Sequence, residues 1–385
     1  MMMANVEVTL RNEAQSMRTI YDPWHRPLAF KPGDVMTVTV TQAMADALAL
    51  RTDLVIIGSA ILPTVPLGPP LAAGSKRRIV ITIPAFGRHY VDQAVRYAIP
   101  AALAALQHAR ASATFLIVTD DPKAFEGSTD GHAADFSYPK LGARGLVRDP
   151  KWGAFVSAHI DGMVRCPDGD IAALLNAETV VSVETFVEAE RIFATGRKVI
   201  ATIGFRANTP VPGDGPPIGA DAEALMQWAW AHRHYSVGDQ MWGTARPADP
   251  TCLYFPHPNG AITCHDFHIN PMLMVGESRR RRDFTNTIDD DCLGAYAESE
   301  IHYLEDRRFA VTELTDPAKP IGVGKPATVA SVVGARQHRL CHVRSFGHGL
   351  KILGEAQNIH PAALDIYKAL APRHKLPFPP PRQKD

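Results

Sequence analysis

The chain has 385 residues, 46% apolar and 21% charged, a globular balance that allows a core to be buried without disulfide or metal staples. Lys+Arg and Asp+Glu stand at 40 each, so no basic field argues for nucleic acid as a partner. The five cysteines (Cys166, Cys252, Cys264, Cys292, Cys341) include no CxxC pair, which reads as reduced thiols in a cytoplasm rather than a disulfide framework or a zinc site.

No stretch approaches the ~18 uninterrupted apolar residues of a spanning helix. The start "MMMANVEVTLRNEA" lacks the basic and apolar regions of a signal peptide. The expected location is cytoplasmic, with peripheral membrane contact left open.

Residues 1–58 read as a small β-rich unit. "VEVTL", "RTIYD" and "DVMTVTV" are short, β-branched and partly alternating, and "KPGD" is turn chemistry. "QAMADALALRTDLVII" then predicts a short helix and a strand. An N-terminal extension of the main sheet is the alternative. Residues 59–77, rich in proline and glycine, read as a linker.

From residue 78 the pattern is βαβ. "IVITIP" is a continuous apolar strand of the kind covered on both faces. A helix over 90–109 follows, with Pro100 marking a kink or break. "TFLIVTDD" is a second buried strand, and "FSYP" a short third. Asp149-Pro150 opens a helix as N-cap and first residue. "IAALL" is the next strand. Ser182 caps a helix that stops at Gly196, and "RKVIATIGF" is a further strand. Alternating strands and helices predict an α/β domain with a mostly parallel sheet.

Beyond Phe205 the order weakens. A helix is expected over 221–234, with Leu225, Trp228 and His232 along one side. Short strands are expected over 251–275, a helix in the last 35 residues, and a frayed tail "PPPRQKD".

In open α/β sheets, ligands bind outside the carboxyl ends of the strands. Three strands deliver Pro84-Ala85-Phe86-Gly87-Arg88, Thr119-Asp120-Asp121 and Asn176-Ala177-Glu178 to those ends. Carboxylates for ribose or base N–H groups and a cation for phosphate are what a nucleotide needs. Polar strand ends are also ordinary in any α/β domain.

On these residues the segment from Arg78 to about Phe205 resembles the nucleotide-binding half of a GT-A glycosyltransferase. "VITIPAFGR" matches the family's first strand, which ends in Pro and a short polar loop. "FLIVTDD" matches its second strand, which ends in acid. "DPKWGAFVSAHIDGMV" matches a later helix with a basic residue, here Lys151, near its start. "LLNAETVVS" stands where the family carries its Asp-x-Asp motif. The resemblance implies a GT-A-like, Rossmann-type, mostly parallel α/β sheet and transfer of a sugar from a nucleotide-sugar donor to a glycan or lipid-linked acceptor, as in surface polysaccharide biosynthesis. It divides the catalytic domain, 78–350, into a nucleotide-binding half (78–205) and an acceptor half (206–350), with 351–385 as C-terminal helix and tail. Nucleotide contacts would come from Pro84, Ala85, Phe86, Arg88, Asp120, Asp121 and Lys151.

The chain departs from the family at the metal motif. Asn176 and Glu178 replace two aspartates and offer one carboxylate and one amide oxygen to Mn²⁺ or Mg²⁺. A metal-independent transferase, with Arg or Lys neutralising the diphosphate, is the alternative.

Four further constellations bear on chemistry. "AITCHDFHINPM" places His265, Asp266 and His268 within four residues. By the resemblance, His265 or His268 would complete the metal shell. "NTIDDDCL" sets Asp289, Asp290 and Asp291 before a helix, as N-capping groups or, by the resemblance, with one of them the base that takes the acceptor proton. "WAWAHRHY" offers Trp230 and His232 as acceptor-binding residues, while Trp228 reads as core. "ESRRRRD" places Arg279–Arg282 to meet a diphosphate or anionic lipid, or simply solvent. The competing functional readings are a metal-dependent hydrolase built on His265, Asp266, His268 and Asp289, and a nucleotide- or glycan-binding protein without catalysis.

Overall fold

The computed structural model describes residues 5–12, 18–21, 27–30, 35–41, 54–61, 77–137, 150–210, 214–243, 252–267, 269–277, 293–318, 327–334, 340–356 and 358–380, with backbone alone for 5–61, 150–153 and 270–271. The chain divides into two compact units, Met1–Ala72 with Lys140–Ser157, and Ala73–Pro139 with Ala158–Asp385.

The first unit contains the strands β1 (Asn5–Asn12), β2 (Arg18–Tyr21), β3 (Pro27–Phe30), β4 (Val35–Thr41) and β5 (Leu54–Ile61). β1 is central and antiparallel to both β4 and β5, while β2 and β3 form a separate pair. This β-rich segment makes its own sheets and does not extend the main one. Its last strand runs past the expected boundary at 58 to Ile61. The helix expected after residue 41, the linker beyond 61 and the Asp149 cap lie outside the described residues.

The strands of the second unit, in chain order, begin with β6 (Ile79–Ala85), β7 (Ala113–Thr119), β8 (Ala133–Ser137), β9 (Ile171–Leu174), β10 (Thr179–Val181), β11 (Val199–Thr202) and β12 (Phe205–Asn208). β13 (Cys252–Pro256), β14 (Ile262–Asp266), β15 (Asn270–Val275), β16 (Ile301–Tyr303), β17 (Val311–Thr315) and β18 (Leu350–Leu353) follow. Seven of them form the main sheet in the order β8-β7-β6-β9-β15-β11-β16. Every neighbouring pair is parallel except the two made by β15, which runs against both β9 and β11. The expected fold class, α/β with a mostly parallel sheet, is what these strands form. β6 is buried along its whole length, as a strand covered on both faces must be. Two three-stranded sheets, β10-β17-β12 and β13-β14-β18, complete the strand set.

Helix α1 (Arg88–Gln93) passes through a π-helical turn, Ala94–Ala98, into α2 (Ile99–Ala109). Pro100 stands at the start of α2 and has no N–H for the carbonyl four residues back. The wider turn directly before it absorbs the missing bond. Helix α3 (Pro150–Arg165) begins on its proline, as the sequence predicts. Helix α4 (Thr185–Ala194) ends before Gly196, whose φ of 93° is the left-handed value that stops a helix. Helix α5 (Ala222–Ala231) is capped by Asp221, whose Oδ1 accepts the Ala224 N–H at 2.8 Å. Helices α6 (Leu340–Gly347) and α7 (Pro361–Leu370) join β13 in a second core containing Leu253, Phe255, Val343, Phe346, Ile366 and Leu370.

Four sequence expectations are corrected. Ser182 does not cap α4, because its Oγ accepts the Ala310 N–H at 3.0 Å and the N-cap position falls to Glu184. "RKVIATIGF" is two strands, β11 and β12, in different sheets. The chain crosses between them at Gly204, where a Cβ would come 2.3 Å from the Glu313 side chain. The third strand of the main sheet is Ala133–Ser137, so it starts ahead of "FSYP". The boundary expected at 350 falls at the start of β18, which pairs with β14 and belongs to the body of this unit. Among the described residues no helix is long and apolar enough to cross a membrane.

Candidate functional site

β7, β6 and β9 are adjacent and parallel, so their carboxyl ends emerge side by side. At the end of β6, Pro84 and Ala85 are buried, Phe86 is half-buried, and Gly87 turns the chain with φ 79°. Both oxygens of the Asp120 carboxylate, at the end of β7, accept the Gly87 N–H, at 3.0 and 3.1 Å. The two strand ends are thereby tied together by a charge-assisted hydrogen bond. Asp120 and Asp121 are exposed, and the Asp121 N–H donates to Thr119 Oγ1 at 3.0 Å. Arg88 is 96% exposed, with its guanidinium 4.0 Å from Asp92, a surface pairing of little energetic consequence.

On the other flank of β6, β9 ends at Leu174 and the strand geometry does not persist. Asn176 to Thr179 form a turn closed twice: the Thr179 N–H donates to the Asn176 carbonyl, and the Asn176 N–H to Thr179 Oγ1, both at 3.0 Å. Ala177 is fully buried, whereas Asn176 and Glu178 are half-buried on either side of it. The turn therefore presents these two side chains around a buried alanine. The turn is fixed from two directions. Its preceding residue, Leu175, donates its N–H to Thr82 of β6 at 3.0 Å, and its carbonyl meets His159 Nε2 of α3 at 3.2 Å. Burial lowers the His159 pKa to about 4, so the ring is neutral and donates from Nε2. One turn along the same helix, Gly162 sits so close to β6 that a Cβ would lie 1.8 Å from Thr82 Oγ1.

Beyond the turn, β10 carries the chain into the second sheet. The Glu178 carbonyl accepts the Leu314 N–H at 2.9 Å. Across this sheet the register aligns Thr179 with Glu313 and Glu313 with Arg206, so the three share a face. Burial opposes the Arg206 charge, but the Glu313 carboxylate and more distant groups including Asp266 outweigh it and hold the guanidinium charged. Sequence reasoning did not single out His159, Arg206 or Glu313. The available signals were a histidine inside the apolar run of α3 and polar residues alternating within "FRAN" and "VTELT".

Apart from Lys151, the remaining expected site residues lie after β12 in the chain. His265, on β14, is 1% exposed, and its Nδ1 bonds the Phe346 carbonyl at 2.8 Å. Its ring meets Phe255 edge-on at 5.3 Å, and a Cβ at Gly349 would come 2.6 Å from Nε2. Burial lowers its pKa to about 4. His265 is thus a neutral, packed residue in a different sheet from β9. Asp266 is also buried, and His268 lies outside the described residues. Among the described residues no group of three or more His, Cys, Asp or Glu side chains is arranged to hold a metal.

His232 closes α5, with Nδ1 bonded to the Trp228 carbonyl at 2.8 Å, Nε2 to Asp214 at 3.0 Å, and its ring stacked on Trp228 at 4.7 Å. Trp228, expected in the core, is half-buried. Trp230 packs on Phe205 at 5.9 Å, and the Arg233 guanidinium covers its ring at 4.7 Å. A sugar stacking on that covered face of Trp230 would have to displace Arg233. Asp289, Asp290, Asp291, Arg279–Arg282 and the Lys151 side chain lie outside the described residues.

No protein-family model matches the sequence, and no curated protein matches it. Among solved structures, S. aureus TarS aligns at 11% identity and a TM-score of 0.31, over 63% of this chain and 37% of that one. S. aureus TarS 1-349 in complex with UDP-GlcNAc aligns at 11% identity and a TM-score of 0.30, over 78% of this chain and 72% of that one. S. aureus TarS 1-349 aligns at 12% identity and a TM-score of 0.30, over 78% of this chain and 72% of that one. At these values the overlaps establish neither family nor function.

Proposed function

We propose that the second unit is a glycosyltransferase that takes a nucleotide-sugar donor along the edge formed by the ends of β7, β6 and β9. The observation that carries this reading is the Asp120–Gly87 bond, which organises two neighbouring strand ends, with the Asn176–Thr179 turn on the third. Open α/β sheets bind ligands at this edge. The residues there supply exposed carboxylates for nucleoside N–H and O–H groups and the Arg88 guanidinium for phosphate.

In this reading the Pro84–Arg88 loop, Asp120 and Asp121 hold the nucleoside, and Arg88 meets the phosphates. Glu178 and the Asn176 amide would hold a divalent ion. Two oxygen donors fit Mg²⁺ or Mn²⁺ where water and a diphosphate fill the remaining positions. Such an ion would offset charge on the departing diphosphate. Arg206, on the same face as Glu313 and Thr179, adds a fixed positive charge one residue beyond Glu178 in the sheet register. One of Asp289, Asp290 and Asp291 takes the proton from the acceptor hydroxyl, and Trp230 and His232 border the acceptor, a glycan or a lipid-linked glycan.

Thermal-shift measurements with UDP, GDP, CMP and CDP, each with and without Mn²⁺, followed by assays of donor hydrolysis, test this assignment. Stabilisation by one nucleotide together with slow release of free sugar from its nucleotide-sugar supports transfer. Nucleotide binding with no turnover on any acceptor would make the protein a binding module. No shift with any nucleotide would overturn the reading.

A further inference from the structure

Cys252 on β13 and Cys264 on β14 have their sulfur atoms 3.4 Å apart. The register opposes Tyr254 to Cys264 and Cys252 to Asp266, so the two cysteines are diagonal neighbours on one face of an antiparallel hairpin. The connection holds that register: the His257 N–H reaches the Ala261 carbonyl at 2.8 Å, and the Gly260 N–H reaches the His257 carbonyl at 2.9 Å. A disulfide bond of about 2.05 Å requires the sulfurs to close by only ~1.4 Å. In sequence the two are separated by eleven residues without any thiol motif, so only the strand pairing reveals them as a pair.

We propose that Cys252 and Cys264 are a redox modification site that forms a reversible intramolecular disulfide with peroxide as the oxidant. This inference is independent of the transferase reading. Cys252 is the less buried residue of the two, and in this proposal its sulfur meets the oxidant. Its thiolate attacks one peroxide oxygen, the O–O bond breaks, and a sulfenic acid and hydroxide result. The Cys264 sulfur then attacks the sulfenic sulfur, the S–S bond forms, and the sulfenic oxygen leaves as water with the Cys264 proton. The proton first released from Cys252 joins the hydroxide. In total, two thiols and one hydrogen peroxide give one disulfide and two waters.

The mutual hydrogen bond and burial push the Cys252 thiol up, and burial pushes Cys264 up as well. Because the thiolate is the nucleophile, the oxidation accelerates as pH rises above neutrality. The Asp266 carboxylate, facing both sulfurs, works in the same upward direction, whereas Arg206 opposes it.

The test uses the full chain, reduced, treated with hydrogen peroxide without denaturant and then blocked with N-ethylmaleimide. No Lys or Arg stands between residues 252 and 264, so trypsin leaves both cysteines on one peptide. The expected product is that peptide unalkylated and about 2 Da lighter, as loss of two hydrogens requires, and restored to the alkylatable form by dithiothreitol. Chymotrypsin, cutting after Tyr254, should give two fragments joined only by the bond. In Cys264→Ser, Cys252 should persist as a sulfenic acid trapped by dimedone. Full alkylation of both cysteines after peroxide would overturn the proposal. So would a bond to Cys166, Cys292 or Cys341 instead, or a Cys252–Cys264 bond that forms only in denaturant.

Discussion

The Asp120 carboxylate holds the backbone N–H of Gly87 with both oxygens, joining the ends of two parallel strands 33 residues apart in sequence. Asp120 is therefore expected to shape the Pro84–Arg88 loop as well as to contact a nucleotide. Asp120→Ala should weaken nucleotide binding about tenfold, the scale of losing one charge-assisted hydrogen bond. Titration calorimetry on the variant, with its fold verified by circular dichroism, decides the matter. Unchanged affinity for every nucleotide would remove Asp120 from the site.

Glu178 sits half-buried in the Asn176–Thr179 turn. If a divalent ion bridges it to the donor, Mn²⁺ should strengthen nucleotide binding in the parent and not in Glu178→Gln. Equal binding in EDTA and in Mn²⁺ by the parent would make the site metal-free, leaving Arg88, Arg206 and Arg279–Arg282 to carry the charge.

The aspartate run provides a kinetic test. An Asn variant of the base among Asp289, Asp290 and Asp291 should lose most of kcat while donor affinity barely changes. Three single variants that all retain full turnover would return the run to helix capping.

Gly162 passes β6 with no room for a side chain, since a Cβ would lie 1.8 Å from Thr82 Oγ1 and 2.8 Å from its Cβ. Gly162→Ala should destabilise the protein by about 1–3 kcal/mol, the usual cost of overpacking a core. Adding Thr82→Ala removes the nearer of the two clashing atoms and should recover part of that loss in urea unfolding. An unchanged midpoint for Gly162→Ala would show that α3 moves freely against the sheet.

Acid should weaken the fold before its carboxylates titrate. Burial lowers the pKa of His159, His265 and His302 from the ordinary 6.5 to about 4. The unfolded chain therefore binds protons on these rings before the folded chain does. Their contribution is constant above pH 6.5 and is lost progressively as pH falls toward 4. His348 has the opposite sign. Burial opposes its charge, but Glu298 and Glu305 raise its pKa, so its contribution is present below 6.5 and lost as pH rises through the raised value. Urea midpoints measured from pH 8 to pH 4.5 should fall below about 6.5, and His265→Gln should make the fall shallower. A flat profile over that interval would contradict the burial of these rings.

Much of the edge formed by the ends of β7, β6 and β9 was legible in sequence because its signals are local. The apolar runs of β6, β7 and β9 mark buried strands whatever lies beside them, and the polar residues after each mark where the chain surfaces. Pro150 at the start of α3 and Gly196 after α4 follow from backbone sterics within a few residues. Pairing between distant segments was not legible, because no short window records which strands become neighbours. The antiparallel insertion of β15 between β9 and β11, the division of "RKVIATIGF" between two sheets at Gly204, and the Thr179–Glu313–Arg206 alignment all depend on that choice. His265 illustrates the consequence: its sequence neighbours Asp266 and His268 suggested a ligand cluster, while the approach of Phe346 and Gly349 made it a sealed, neutral ring. Where strands end and what chemistry they expose follows from local sequence, whereas which of those ends touch follows from the fold, because burial and hydrogen-bond partners come from segments far apart along the chain.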